Sequence, residues 1–312
     1  MTTSLVLAVL AASLAEVHIT QQPDRVVVTI DDKSASTFVY GDGVTKPYLW
    51  PLTTAAGVEL TRHWPMQDVQ GDPHDHPHQR GVWFAHAKVN GIDFWNSDPS
   101  YKTKNMGRML VEGTPRITTN GITTNLSWRD PDGKELLKEH RVMTFTGGSL
   151  RTIDFDITLT ASTEVVFGDE KDGVFGIRLA HELEKPAPND SIRTGRMVAS
   201  TGCHQEKECW GKRADWMDIS GTFADRSAGI AMFDSSENPR HPPYWHARGY
   251  GLLAVNIFGV KAFTQDSSAD GAMPLPSGKT MRFRYRLVLH DGALDVNRLA
   301  ELYKSWDSAP LR

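Results

Sequence analysis

Residues 149–162, SLRTIDFDITLTAS, decide the fold. Ile153, Phe155, Ile157 and Leu159 alternate there with Thr152, Asp154, Asp156 and Thr158. Successive side chains leave a strand on opposite faces, so a period of two means one buried and one wet face. Residues 279–290, KTMRFRYRLVLH, repeat the pattern through Met281, Phe283, Tyr285, Leu287 and Leu289. Residues 25–31, RVVVTID, do so through Val26, Val28 and Ile30. Half-buried strands of this kind pair antiparallel. Residues 121–145, GITTNLSWRDPDGKELLKEHRVMTF, read as a hairpin that turns at Asp130-Pro131-Asp132-Gly133.

The period changes only near the end of the chain. Asp295 suits an N-cap, and Leu299, Leu302, Tyr303 and Trp306 recur at helical spacing in VNRLAELYKSW. Strands from end to end with one terminal helix predict an all-β fold, a large antiparallel β-sandwich. The chain of 312 residues shows no Gly/Ser-rich linker and no repeat, so residues 16–312 are expected to form a single domain. Residues 1–15, MTTSLVLAVLAASLA, resemble a secretory signal peptide, with an apolar run closing on Ser13-Leu14-Ala15. Export to the periplasm or the medium is the expectation. That run is too short to span a bilayer, and no integral membrane segment is expected after its removal.

A net charge of −4, with no basic block, argues against nucleic acid as a partner. There is no phosphate loop, dinucleotide fingerprint, G-x-S-x-G or H-E-x-x-H, so no nucleotide cofactor is indicated. Cys203 and Cys209 in CHQEKEC are either a disulfide or two free thiols.

Three clusters can carry chemistry. Residues 74–95, HDHPHQRGVWFAHAKVNGIDFW, hold His74, His76, His78 and His86 among Arg80, Trp83 and Trp95, where a Pro/Gly/Asp-rich loop meets an aromatic strand. If the segment is extended, His76 and His78 share a face and can bind a metal or act as general acid and base. Arg80 offers a cationic fork for a carboxylate or a hydroxyl. Residues 167–180, FGDEKDGVFGIRLA, bring Asp169 and Lys171 in a charged turn. Residues 238–256, NPRHPPYWHARGYGLLAVN, pack His241, Tyr244, Trp245, His246, Arg248 and Tyr250 into a Pro-rich loop. Aromatic rings beside hydrogen-bonding groups suit a sugar, with its apolar faces and hydroxyl rim. Lys212 and Trp216, in CWGKRADW, have the same character. The plain alternative for the tryptophans is core packing.

At KPYLWPL (46–52), DHPHQRGVWFAH with VNGIDFW (75–95), FGDEKDGVFGIRLA, WGKRADW, RHPPYWHARGYGLLAVN and FRYRLVLH, the sequence resembles a bacterial family catalogued as methane oxygenase PmoA-like. The family pattern has a second histidine where this chain has Gln79, which leaves His76, His78 and Arg80 as matched positions. The label derives from a membrane methane monooxygenase subunit built of membrane-spanning helices. This chain reads as β-structure, so the oxygenase activity is not carried over. Relatives resemble exported proteins of bacteria that degrade plant and algal glycans, which implies a carbohydrate ligand. In size, the expected fold is similar to the many-stranded sandwich of galactose mutarotase-like proteins and polysaccharide lyases, a likeness that says little of reaction.

Three functions follow. The first is an exported carbohydrate-active enzyme (lyase, hydrolase or epimerase) that uses His76, His78 and His246 for proton transfer, with Arg80 and Arg248 orienting charge. Trp83, His86, Asp169, Lys171, Lys212, Trp216, His241, Trp245 and Tyr250 would bind substrate, a small molecule or an oligosaccharide. The second is a metal-dependent oxygenase or hydrolase with a divalent metal on the histidines. The third is a glycan-binding protein without turnover.

Overall fold

Burial follows the predicted alternation. Along Leu150–Ala161 every second side chain is buried, and Thr280–Asp291 beside it repeats the pattern as far as Leu287, after which Val288 and His290 on the other face are buried as well. Their outward carboxylates are paired across the strands, Asp154 with Arg286 and Asp156 with Arg282. The computed structural model describes residues 15–309, and the expected leader, apart from Ala15, lies outside them.

Two eight-stranded antiparallel sheets face each other. The first runs in the order Val17–Gln21, Arg25–Ile30, Lys33–Val39, Tyr48–Leu49, Val82–His86, Gly173–Arg178, Leu252–Asn256, Tyr244–Trp245. The second runs Arg196–Ala199, Trp216–Phe223, Arg226–Asp234, Thr280–Asp291, Leu150–Ala161, Glu135–Thr146, Gly121–Arg129, Arg108–Ile117. Val165–Phe167 and Met273–Leu275 form a small separate pair. The fold is the antiparallel β-sandwich expected. The hairpin turns where predicted, with the Asp130 carboxylate accepting from the Asp132 and Lys134 amides and Gly133 at φ 86°.

Aromatic rings lock the sheets together. Phe84 of the first sheet meets Phe283 and Trp128 of the second, and Phe175 meets Phe155 and Tyr285. Because Phe84 and Phe175 point inward, their neighbours Trp83 and Gly176 point to the outer face of the first sheet. That outer face carries the site.

The helix Val296–Asp307 is capped by Asp295, whose carboxylate accepts from the Arg298 amide. Leu299 and Trp306 bury against Trp216, Phe233 and Val288 on the outer face of the second sheet. Two one-turn helices, Gln205–Cys209 and Val260–Thr264, were not expected, since five residues are too few to show a helical period. Cys203 and Cys209 are joined in a disulfide. Among the described residues no helix is long and apolar enough to cross a membrane.

Candidate active site

Loops over the outer face of the first sheet enclose a polar cavity of about 280 Å³. It is lined by His76, His78, Gln79, Trp95, Asn96, Lys171, Asp172, His246, Arg248 and Tyr250. The loops around His76 and His246, distant in sequence, thus meet in one place, together with the 170–172 turn. Gly176 makes the floor possible: a Cβ there would sit 2.6 Å from Trp95 Cη2 and 3.1 Å from Trp83 Cζ2.

The histidines do not share a face by extended geometry. His76 has φ 44°, and its carbonyl accepts from the Gln79 amide at 2.9 Å, so residues 76–79 form a turn. The turn still brings the His76 and His78 rings edge to face at 5.7 Å. His76 stacks on Tyr250 at 5.1 Å, and its Nδ1 lies 2.8 Å from an Asp75 oxygen. His78 is buried, with Nδ1 3.1 Å from the Tyr101 hydroxyl. Burial, with repulsion from Lys46 and His76, pushes its pKa down to about 2.

His246 is held on both sides. Its backbone pairs with Ala254 in both directions, and its ring Nδ1 donates to the Lys171 carbonyl at 3.1 Å. Asn256 Nδ2 donates to the same carbonyl at 2.8 Å and to Glu170 O, pinning the turn that carries Lys171 and Asp172. Donation from Nδ1 fixes the tautomer and leaves Nε2 as the basic nitrogen. Burial pushes the His246 pKa down to about 4, against the pull of Asp172 3.7 Å away. Neutral imidazoles are thereby kept at both His78 and His246 at ordinary pH.

Charge and proton donors stand beside them. Lys171 Nζ bonds both oxygens of Asp172, at 2.9 and 3.0 Å. Burial raises the Tyr250 pKa, so its hydroxyl stays protonated. The Arg178 and Arg248 guanidiniums lie 4.7 and 5.9 Å from the Tyr250 ring centre. Arg178 donates to Gln79 Oε1 at 2.7 Å and to Asp75 at 2.8 Å, and Arg62 donates to the same Asp75 oxygen. Burial alone would raise the Asp75 pKa, yet His76 and the two arginines hold it below the usual carboxylate range.

Several expected site residues lie elsewhere. Arg80 is engaged by Asp98 and the Pro77 carbonyl and does not line the cavity; the guanidinium in its lining is that of Arg248. Trp83 is core and backs Trp95 at 4.8 Å. His86 is fully buried between Phe167 and Phe258, with Nε2 2.8 Å from the Gly168 carbonyl, and burial drops its pKa to about 4. Trp216 packs under the C-terminal helix, and Trp245 is buried with Nε1 donating to the Ala214 carbonyl. For these three tryptophans, core packing is the reading that holds. The Asp169 carboxylate accepts from the Lys261 and Gly271 amides, so it braces a loop. His241 lies between Asp234 and Asp215, outside the cavity. Lys212 lines a separate, larger cavity. His74 stacks on Trp64 and pairs with Asp68, away from the site.

Of the carboxylates in the charged turn 169–172, where the sequence offers a general base, Asp172 is the one that lines the cavity; Lys46 is the residue that sequence reasoning passes over. Lys46 is buried, donates to Ser97 O at 2.7 Å, and burial pushes its pKa down to about 7. The signal was present, a lysine inside the apolar run KPYLWPL. Among the described residues no three His, Cys, Asp or Glu side chains come together as a metal-binding group.

Fold and site together define an antiparallel β-sandwich with a histidine-lined polar cavity on the outer face of one sheet. The chain belongs to a family of unknown function, DUF6807, whose model matches residues 25–304. No curated protein matches the sequence. Among solved structures, a galactose mutarotase related enzyme from Lactobacillus acidophilus is 10% identical, with a TM-score of 0.37, over 88% of this chain and 97% of its own. A galactose mutarotase-like protein from Lactobacillus casei is 8% identical, with a TM-score of 0.42, over 88% of this chain and 100% of its own. A GalM/aldose epimerase homologue from C. elegans is 9% identical, with a TM-score of 0.35, over 90% of this chain and 100% of its own. At these scores none of them transfers a residue role to this chain.

Proposed function

We propose that this chain is an exported carbohydrate-active enzyme that transfers protons on a sugar or an oxidised sugar. The observation that carries the reading is the meeting of His76, His78 and His246 in one polar cavity. His246 is the base. Its Nε2, unprotonated at neutral pH, takes a proton from a sugar hydroxyl or from carbon next to a carbonyl. The Tyr250 hydroxyl is the donor on the other side of the transfer. Lys171 and Arg248 stabilise negative charge that develops on oxygen. His78, neutral and less accessible, accepts a hydrogen bond from a substrate hydroxyl. Trp95 offers a ring edge beside these polar groups, as sugar sites commonly do. The resemblance at DHPHQRGVWFAH and RHPPYWHARGYGLLAVN, to the PmoA-like family of glycan-degrading bacteria, supports a carbohydrate substrate and an exported location.

Proton NMR of the purified protein with aldoses, uronic acids and 3-keto-glycosides tests the proposal. At least one sugar should show faster anomer exchange, epimerisation or bond cleavage, and His246→Asn should abolish it. Sugars that bind by calorimetry but never turn over would sink the enzyme and leave a glycan-binding protein.

A further inference from the structure

A second cavity, of about 610 Å³, adjoins the first through Arg248, which lines both. Its walls are of two kinds. Lys185, Lys207 and Lys212 supply positive charge, and Trp210 with Phe263 supplies an aromatic face. Glu206 is the carboxylate lining this cavity, and it is already occupied. One of its oxygens is 2.7 Å from Arg248 Nε, and the other accepts from the Gly249 amide at 2.8 Å. Arg248 thus offsets Glu206, and the lysines leave the cavity with a net positive charge. Among the described residues no carboxylate pairs with any of the three lysines within 4 Å.

The wall is also fixed in place. Lys207 sits on the one-turn helix Gln205–Cys209, which the Cys203–Cys209 disulfide ties down. Trp210 follows directly, edge to face against Phe263 at 5.6 Å. Its indole Nε1 is buried and has no acceptor, an unsatisfied donor at the cavity wall.

We propose that this cavity is a second sugar subsite that takes a negatively charged ring. The substrate would then be an acidic oligosaccharide, with one ring in the histidine cavity and the next beyond Arg248. An aromatic wall stacks a sugar face, and clustered cations pair a carboxylate or a sulfate. A neutral glycan would leave the lysines unpaired and gain nothing from them. The inference rests on the carbohydrate reading of the neighbouring cavity, but it needs no turnover.

Calorimetry of the full chain separates the cases. The probes are trigalacturonate, a galactose-6-sulfate disaccharide and neutral galactotriose. An anionic probe should bind at least roughly tenfold more tightly than the neutral one, and the gap should shrink as salt rises. Lys185→Gln and Lys207→Gln, both exposed and unpaired, should together erase most of that gap at an unchanged melting temperature. Preference for trigalacturonate or for the sulfated probe identifies which anion the subsite takes. Equal affinity for charged and neutral probes, no binding of either anion, or a preference that survives the lysine changes overturns the inference. Anionic binding without any turnover would instead overturn the enzyme and leave the subsite standing.

Discussion

His246→Asn isolates the proton-transfer role. Asparagine Nδ2 can keep the donation to the Lys171 carbonyl that Nδ1 makes at 3.1 Å, a bond worth about 1 kcal/mol, so the loop should stay in place. What disappears is the basic Nε2. The rate should fall by about 100- to 10,000-fold while the melting temperature moves by only a few degrees, roughly. The wild-type pH profile supplies an independent check. Burial pushes the His246 pKa down to about 4. At pH 5 about 90% of such a base is neutral, whereas an imidazole at its ordinary 6.5 would be about 3% neutral. The acid limb of kcat/KM should therefore have its midpoint near pH 4. The assay is the initial rate from pH 3.5 to 8 on whichever sugar turns over, with the fold monitored by fluorescence. An acid limb near pH 6.5, or an asparagine variant with full rate, would refute the assignment of His246 as a neutral base.

His78→Ala should lose most of the rate and also about 2 kcal/mol of stability, because the ring is buried against Tyr101; full rate in the folded variant would make His78 structural. Asp75→Asn removes the counter-charge shared by Arg62 and Arg178, both almost fully buried, and leaves Arg178 the Glu184 carboxylate 3.8 Å away. Because Asp75 itself is 39% exposed, the loss should sit at the low end for such pairs, about 3 kcal/mol, and an unchanged denaturation midpoint would contradict it. Gly176→Ala should cost roughly 1–3 kcal/mol, since Trp95 and Trp83 are buried and cannot both retreat from the added methyl; wild-type melting would show that the floor yields.

Stability should peak near pH 6.5. Burial lowers the pKa of His78 to about 2 and of His86 and His246 to about 4, so below pH 6.5 the unfolded chain binds protons that the folded chain refuses. Stability then falls as pH falls through this range, offset in part below about pH 6 by Asp234, whose pKa burial raises to about 6 so that the folded chain takes up its proton first. On the alkaline side the sign reverses. Hydrogen bonds to Asp72 and Glu59 raise His63 to about 10, and Asp234 and Asp218 outweigh burial to raise His241 and His290. The folded chain keeps those protons above pH 6.5 and the unfolded chain releases them, so their contribution falls as pH rises; Lys46, lowered to about 7, acts the other way above pH 7 but is one group against three. A melting temperature that stayed flat from pH 4.5 to 9 would contradict this balance.

Much of the sheet structure was legible because each strand writes its own burial in a period of two. Ile153, Phe155, Ile157 and Leu159 needed no partner to be read as inward. The site was legible only in part, because its contacts are not local. His76, His78 and His246 were found as titratable groups on loops, yet the geometry that joins His76 to His78 is a turn set by the His76 carbonyl and the Gln79 amide. Arg80 and Arg178 look alike in sequence. One faces Asp98 and the other Asp75 and Gln79, and chain separation hides that difference. A tryptophan is equally apt for a core or for a sugar, so Trp83, Trp216 and Trp245 could not be sorted from Trp95 until the layers were known. Lys46 was hidden by its apolar neighbours, the same context that buries it.

The C-terminal helix gives chain length a meaning separate from chemistry. A chain ending before Asp295 keeps every residue that lines either cavity. It also bares Trp216, Phe233 and Val288, neighbours on a broad sheet face that the helix otherwise covers. A greasy patch on an otherwise finished β-sandwich invites self-association. A protease that clipped this tail would thus remove no cavity residue but would uncover an apolar sheet face and free the Ser235–Ser236 turn that Asp307 holds.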